Sequence, residues 1–443
     1  MSPTVASRTV AVTTLGCRSN QYDSSALEDS FKKADFDIVP LNAGASAYVI
    51  NTCTVTGPTD SQSRQLIRKI RRENPSSVLI VTGCYAEVAA NEVASIEGVD
   101  YVLGNPEKSK VVECALKGRP EGGAVVMVGG EAGIMELRAV SFESRTRANL
   151  KLQDGCDKAC TYCIIPRARG ASRSVTLDAA LKEFRGLADA GFGEIVLTGI
   201  HLGAYGLDLK PKSSITELVR AIDGLGLTDK CRGRISSLDP DEVTDEFIDA
   251  FAGSRVFCNH MHLSLQSGDD RILRLMRRSY TALDFSDAVL RLFKKVEGIN
   301  IGADVIAGFP GEDDKAFGNT LELLKKLPVS YLHIFPYSVR KGTSAEGFKG
   351  RVSPKVTKER CEALKILDME KRAAFNARFV GTVQEVLIET SRDKKTGFLK
   401  GRTRSYIPAL IKAGDELKRK TVMLKAVKST KDFIVCEADV FKG

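Results

Sequence analysis

Three short, β-branched apolar runs that each end in a cysteine constrain the fold of this chain more than any other feature of its sequence. Arg8–Thr14 leads into Leu15-Gly16-Cys17, Ala47–Thr52 into Cys53, and Ser77–Thr82 into Gly83-Cys84. A fourth run, Tyr101–Leu103, follows, and amphipathic helical stretches separate the four. That alternation predicts a parallel α/β sheet. In such a sheet the C-terminal strand ends share one edge, where ligands bind. If the three strands are neighbours, Cys17, Cys53 and Cys84 converge there and can hold a cluster that leaves one iron open.

The second cysteine set is Gly155-Cys156-Asp157-Lys158-Ala159-Cys160-Thr161-Tyr162-Cys163. Thiolates at C-x3-C-x2-C spacing select zinc or an iron–sulfur cluster. Structural zinc closes its sphere with four ligands, and no fourth Cys or His lies nearby. Three cysteines on a four-iron cluster instead leave one iron for another ligand. The chain has 443 residues and 11 cysteines, an odd number in a chain large enough to do without staples, so a disulfide framework is not expected. Cys114, Cys231, Cys258, Cys361 and Cys436 follow no ligand spacing and read as structural.

Arg119 to about Arg147 is glycine-rich and reads as a connection between domains. Beyond it, strand candidates recur at Leu150–Gln153, Glu194–Gly199, Arg234–Ser237, His262–Gln266, Asn300–Ala307 and Tyr331–Tyr337, with helical stretches between them. Six βα units predict a partial barrel of parallel strands. Its strand ends carry small or polar residues, among them Thr198, Gly199, Ser236, Gln266 and Asp304, which are candidates to line a cofactor pocket at the barrel mouth. A charged helical connector runs from Ser353 to about Arg378.

The tail then alternates five short strands: Val383–Glu389, Gly397–Thr403, Ile407–Leu410, Thr421–Val427 and Phe433–Ala438. From Arg378 onward it holds 15 Lys and Arg against 8 Asp and Glu, so most of the net charge of +9 sits there. A basic five-stranded module fits a small barrel of the oligonucleotide-binding kind, aimed at a polyanion. Lys400, Arg402 and Arg404 are the candidate phosphate contacts, and Phe398 and Tyr406 could stack bases or fill the module's core. The expected domains are 8–118, 142–373 and 376–441.

Leu15-Gly16-Cys17, Asn51-Thr52-Cys53-Thr54-Val55-Thr56, Thr82-Gly83-Cys84-Tyr85-Ala86 and the C-x3-C-x2-C run together resemble the radical S-adenosylmethionine methylthiotransferases over nearly the whole chain. That resemblance implies an N-terminal cluster domain, a central partial (β/α)6 radical barrel and a C-terminal TRAM barrel that binds RNA. Gly397-Phe398-Leu399-Lys400-Gly401-Arg402-Thr403 is similar to the TRAM pattern. Asn51–Thr56 and the run Leu197–Gly206 look most like the branch acting on N6-threonylcarbamoyladenosine at tRNA position 37. Other branches act on isopentenyladenosine in tRNA or on ribosomal protein S12. The sequence departs from the family at Arg18, at Gly57-Pro58 and at Arg167, none of them a cluster ligand.

The resemblance implies two [4Fe-4S] clusters, one on Cys156, Cys160 and Cys163 and one on Cys17, Cys53 and Cys84. It also implies S-adenosylmethionine bound with Tyr162 and the strand-end residues, the anticodon stem-loop of tRNA as partner, and an external electron donor and sulfur source. Cleavage of S-adenosylmethionine at the first cluster would give a radical that takes hydrogen from adenine C2, an inert C–H with no easy ionic route. The methylthio group would come from the second cluster. A rival of another class is a non-catalytic iron–sulfur carrier or RNA-binding scaffold, which would not cleave S-adenosylmethionine. Met1 to Val12 has only Arg8 as a charge and no long apolar region, so no export signal is expected. No apolar run approaches a membrane span of roughly 20 residues, and a cytoplasmic location is expected.

Overall fold

The computed structural model describes residues 8–131, 133 and 146–437. The expected domain limits at 142 and 441, the strand end at Ala438 and the first seven residues lie outside the described residues. The chain divides into two compact units: Met1–Phe142 with Gln153–Val175 and Ser338–Glu346, and Glu143–Leu152 with Thr176–Tyr337 and Gly347–Gly443. The segment carrying C-x3-C-x2-C therefore groups with the N-terminal sheet, whereas the sequence reading places it in the barrel domain.

The first unit is built on a parallel sheet of β1 (Thr9–Thr14), β2 (Asp37–Ile38), β3 (Ala47–Thr52), β4 (Val78–Gly83), β5 (Tyr101–Leu103) and β6 (Val125–Met127). Its order is β2-β1-β3-β4-β5-β6. Both central strands, β3 and β4, are buried along their whole length, as expected of a parallel sheet covered on two faces. Alternation sends Tyr48, Ile50, Leu79 and Val81 into one core with Ile67 of α2 (Gly57–Glu73). Val49 and Ile80 go into the other core with Leu27 and Phe31 of α1 (Arg18–Lys32). Neither β2 nor β6 is visible in the apolar pattern. Val125 and Val126 are exposed, so β6 is held by backbone pairing to β5 rather than by burial, and the glycines before it mask it as linker.

The second unit is a partial barrel. Its strands β7 (Arg147–Lys151), β10 (Glu194–Thr198) and β11 (Arg232–Ile235) form one parallel sheet in the order β11-β10-β7. β12 (Ser237–Leu238), β13 (His260–Gln266), β14 (Asn300–Ala307) and β15 (Tyr331–Pro336) form another. Every barrel pairing is parallel, and the six expected strands are present with ends shifted by a few residues. The strands β8 (Gln153–Asp154) and β9 (Arg173–Ser174), missed by the sequence reading, pair antiparallel in the first unit and enclose the second cysteine set.

A helix, Pro354–Ala377, follows the barrel, started by the Ser353 hydroxyl accepting from Val356 N at 3.3 Å and by proline in its first turn. The tail closes into a five-stranded barrel of β16 (Val383–Arg392), β17 (Leu399–Thr403), β18 (Pro408–Ile411), β20 (Ile434–Glu437) and β19 (Thr421–Ser429). Among the described residues no helix is long and apolar enough to cross a membrane.

Candidate functional site

In the first unit β1, β3 and β4 are adjacent, so the three N-terminal cysteines issue from neighbouring strands. Cys17 caps the start of α1, Cys53 directly follows β3, and Cys84 begins α3 (Cys84–Val88). The sheet reverses its direction of strand addition between β1 and β3, and this is the crevice where doubly wound folds hold ligands. Gly16 lies at φ +100°, and a Cβ there would overlap the Cys53 side chain, so only glycine lets the two cysteine loops approach. Burial pushes the Cys53 thiol up to about 11, with the Cys84 and Cys17 thiolates adding to the rise against a hydrogen bond from Val55 and the charge of Arg169. A bound metal centre would supply the positive charge needed to ionise the buried Cys53 thiol.

Polar side chains lock this edge. Asn20 Nδ2 donates to Leu15 O and to Thr52 O, both at 2.9 Å, so one amide fixes the turns leading to Cys17 and Cys53. Asn51 Nδ2 returns to Asn20 O at 2.9 Å, and Thr52 Oγ1 donates to Thr82 O at 2.6 Å. Asn105 Nδ2 lies 3.7 Å from Cys84 Sγ, the kind of contact that tunes a cluster's potential.

The second cysteine set is pinned as firmly. Cys156 N donates to Gly170 O and Cys163 N to Cys160 O, both at 3.1 Å, and Gln153 Nε2 reaches Gly155 O at 2.8 Å and Ser172 Oγ at 2.9 Å. Arg169 links the two sets. Its buried guanidinium donates to Asp154 Oδ1 at 2.8 Å and to Asn20 Oδ1 at 2.5 Å, and lies 3.3 Å from Asp23. Burial alone would lower its pKa, yet Asp154, Cys84, Asp23 and Cys17 hold it charged. Arg340, likewise buried, pairs with Asp60 at 2.7 Å and donates to Thr54 beside Cys53.

All eleven cysteines are free thiols; Cys53 and Cys84 are buried, and Cys17, Cys156, Cys160 and Cys163 are partly exposed. Among the described residues neither trio brings three sulfurs within 4.8 Å of one another. A single zinc with Zn–S bonds of about 2.3 Å would require that closeness. Two three-thiol sets fit multi-iron clusters that each keep one iron open.

In the second unit Thr198 ends β10, Gly199 follows it, Ser236 lies between β11 and β12, and Gln266 ends β13 at φ +65°. These four share the C-terminal edge of the barrel. Asp304 does not stand at a strand end: three residues short of the end of β14, it lies 2.8 Å from His262 Nε2 and 3.3 Å from His333 Nδ1. Tyr162 belongs to the first unit.

The tail candidates divide. Arg404 Nη2 donates to Phe257 O at 2.9 Å and to Arg255 O, and its Nη1 is 3.4 Å from Glu385. Arg402 lies over the Tyr406 ring at 5.0 Å, while its carbonyl accepts from Arg232 at 3.1 Å. Lys400 has no ion-pair partner among the described residues. Tyr406, at φ +60°, is itself enclosed by Arg234 at 4.3 Å, the His260 ring at 4.9 Å and Arg147 Nη1 at 2.8 Å from its hydroxyl. It packs the base of the barrel.

Asn20, Asp23, Asp154, Arg169 and Arg340 were not singled out from sequence. The only available signal was polar residues beside cysteines, which is shared with ordinary caps and turns.

Residues 9–104 match the family described as Uncharacterized protein family UPF0004, and residues 150–324 match the Radical SAM superfamily. The chain is 38% identical to a threonylcarbamoyladenosine tRNA methylthiotransferase of Bacillus subtilis over 95% of this chain and 94% of that one. It is 31% identical to a tRNA-2-methylthio-N6-dimethylallyladenosine synthase of Carboxydothermus hydrogenoformans over 95% and 97%. Among solved structures, a radical S-adenosylmethionine methyltransferase of Kitasatospora setae shares the fold with a TM-score of 0.59 at 16% identity, over 77% of each chain.

Proposed function

The chain belongs to the radical S-adenosylmethionine methylthiotransferases, in the threonylcarbamoyladenosine tRNA branch, and we propose on that basis how its residues divide the work. It is a tRNA methylthiotransferase that adds a methylthio group to C2 of N6-threonylcarbamoyladenosine at position 37, using S-adenosylmethionine and [4Fe-4S] clusters.

Cys156, Cys160 and Cys163 would hold the cluster that binds S-adenosylmethionine, and Cys17, Cys53 and Cys84 a second one. When bound, the first supplies one-electron cleavage of S-adenosylmethionine for hydrogen abstraction, and the second carries the sulfur that is transferred. The observation that carries this reading is that both trios lie in one compact unit with the buried Arg169 bonded to the frame of each. A fixed guanidinium near Cys17 and Cys84 and bonded to Asp154 at the base of the C-x3-C-x2-C loop would offset negative charge at the first set and hold both loops to one geometry. Asn20 and Gly16 keep the Cys17 and Cys53 turns in register.

Thr198, Gly199, Ser236 and Gln266, on the C-terminal edge of the barrel, would help bind S-adenosylmethionine. Lys400 would contact the tRNA anticodon stem-loop, together with whatever edges of Arg402 and Arg404 remain free. A reductant and a sulfur source must come from outside the chain.

The test is anaerobic. The protein is reconstituted with iron and sulfide, its iron is counted, and it is given reductant, S-adenosylmethionine and tRNA containing threonylcarbamoyladenosine; the RNA is then digested and its nucleosides weighed. A product heavier by one methylthio group, with about eight irons bound, supports the whole reading. Four irons would refute the second cluster, and 5′-deoxyadenosine without the product would refute the substrate.

A further inference from the structure

The chain has four histidines, all in the second unit. Two of them, with one carboxylate, form a cluster that the cysteine chemistry does not use. His262 on β13, Asp304 on β14 and His333 on β15 stand on three consecutive parallel strands, and Asp304 is directly in register with His333. One ligand atom from each lies within 4.8 Å of the others. We propose that His262, Asp304 and His333 form a mononuclear site for a divalent transition metal.

The geometry supports a metal over a simple ion pair. His262 Nε2 is 2.8 Å from Asp304 Oδ1, and His333 Nδ1 is 3.3 Å from the same oxygen. Ligands held about 2.1 Å from one ion lie about 3.0 Å apart in octahedral and about 3.4 Å apart in tetrahedral arrangement; the 3.3 Å contact falls inside that range and the 2.8 Å contact just below it. His262 is only 4% exposed, yet its Nε2 has no hydrogen-bond partner among the described residues, because the approach to Asp304 is short without being aligned for an N–H donor.

The other ring nitrogen fits. His262 Nδ1 is 2.9 Å from the Tyr331 hydroxyl, so Nδ1–H can donate there and leave Nε2 bare, the outer contact that ligating histidines generally make. Tyr331 is fixed in turn by His260 Nε2 at 2.8 Å.

Two imidazoles and one carboxylate suit iron(II), cobalt(II) or zinc(II) rather than calcium or magnesium. Three protein ligands also leave positions open for an oxygen donor.

Cobalt(II) is the probe. The reconstituted full-length protein, with its cysteines untouched, is dialysed to equilibrium against cobalt(II), and bound cobalt is counted by elemental analysis for the native chain, His333→Gln and Asp304→Asn. Cobalt taken by unfilled cysteines is the same in all three and cancels. The expected result is one more cobalt(II) per chain in the native protein, with affinity at least tenfold weaker in both variants. His333 is 52% exposed, so His333→Gln should fold normally and keeps the test sound if Asp304→Asn does not. Equal cobalt in the native chain and His333→Gln would overturn the proposal and leave Asp304 as a partner of imidazoles alone.

Discussion

Arg169 and Asp154 face each other across the base of the C-x3-C-x2-C loop, Nη1 to Oδ1 at 2.8 Å, with the arginine side chain 1% and the aspartate 10% exposed. One residue precedes the three cysteines and the other follows them, so the pair clasps the loop. Removing one partner from such a buried pair costs roughly 3–5 kcal/mol, because the other charge is left uncompensated. Arg169→Met should therefore destabilise the first unit by about that amount and lower the iron held after reconstitution. Chemical denaturation and iron counting check this, and a native-like midpoint would show that Arg169 is dispensable.

Gly16→Ala places a methyl group on the Cys53 side chain at a backbone angle that alanine rarely takes. The Cys17 and Cys53 loops must separate, so iron should fall from about eight to about four per chain, while reductive cleavage of S-adenosylmethionine persists.

Cys53→Ala should spare formation of 5′-deoxyadenosine and abolish methylthio transfer. Chromatography of small-molecule products beside nucleoside mass spectrometry separates the two activities. Loss of both would mean that the cysteine sets do not divide the work as proposed.

Lys400→Ala should weaken tRNA binding and lower the slope of log affinity against log salt by roughly one, as expected for one lost phosphate contact. Arg404→Ala should act on stability first, since its guanidinium is bonded to Phe257 O and Arg255 O. Binding titrations at several salt concentrations, set beside thermal unfolding, distinguish a surface cation from a structural one.

Tyr406→Phe removes the oxygen that lies 2.8 Å from Arg147 Nη1, leaving that group short of a partner at a cost of about 1–3 kcal/mol. A melting curve reads the loss, and an unchanged midpoint would show that Arg147 finds another acceptor.

The parallel sheet, the six barrel strands and the five-stranded tail were legible because strand and helix periodicities differ and glycine and cysteine punctuate the strand ends. The placement of Cys17, Cys53 and Cys84 at neighbouring strand ends was legible for the same reason, since chain order maps onto one sheet edge, whereas the C-x3-C-x2-C run was read from its spacing alone. Arg169 was not. Its partners Asn20 and Asp154 are 149 and 15 residues away in sequence, and nothing in a linear pattern distinguishes a buried guanidinium from a solvated one. Asp304 was read as a strand-end residue from the run that follows it; only the register of β14 against β15 shows that it faces His333. Tyr406 looked as ready to stack a base as to pack, and its positive φ at a tight turn, unforeseeable from sequence, turned it inward.

The chain leaves and re-enters the first unit twice after the N-terminal sheet, at Gln153–Val175 and at Ser338–Glu346. The expected domain limits and these compact units therefore do not coincide, so a cut that follows the linear sequence would divide the first unit. A fragment cut at the glycine-rich connection would carry Arg169 without Asn20 and Asp23, and Arg340 without Thr54 and Asp60. Arg340 would lose both of these partners, and Arg169 would keep only Asp154 of its buried ones. Recombination between relatives would have to exchange the sheet and the cysteine loop together, which makes the pair a single heritable block.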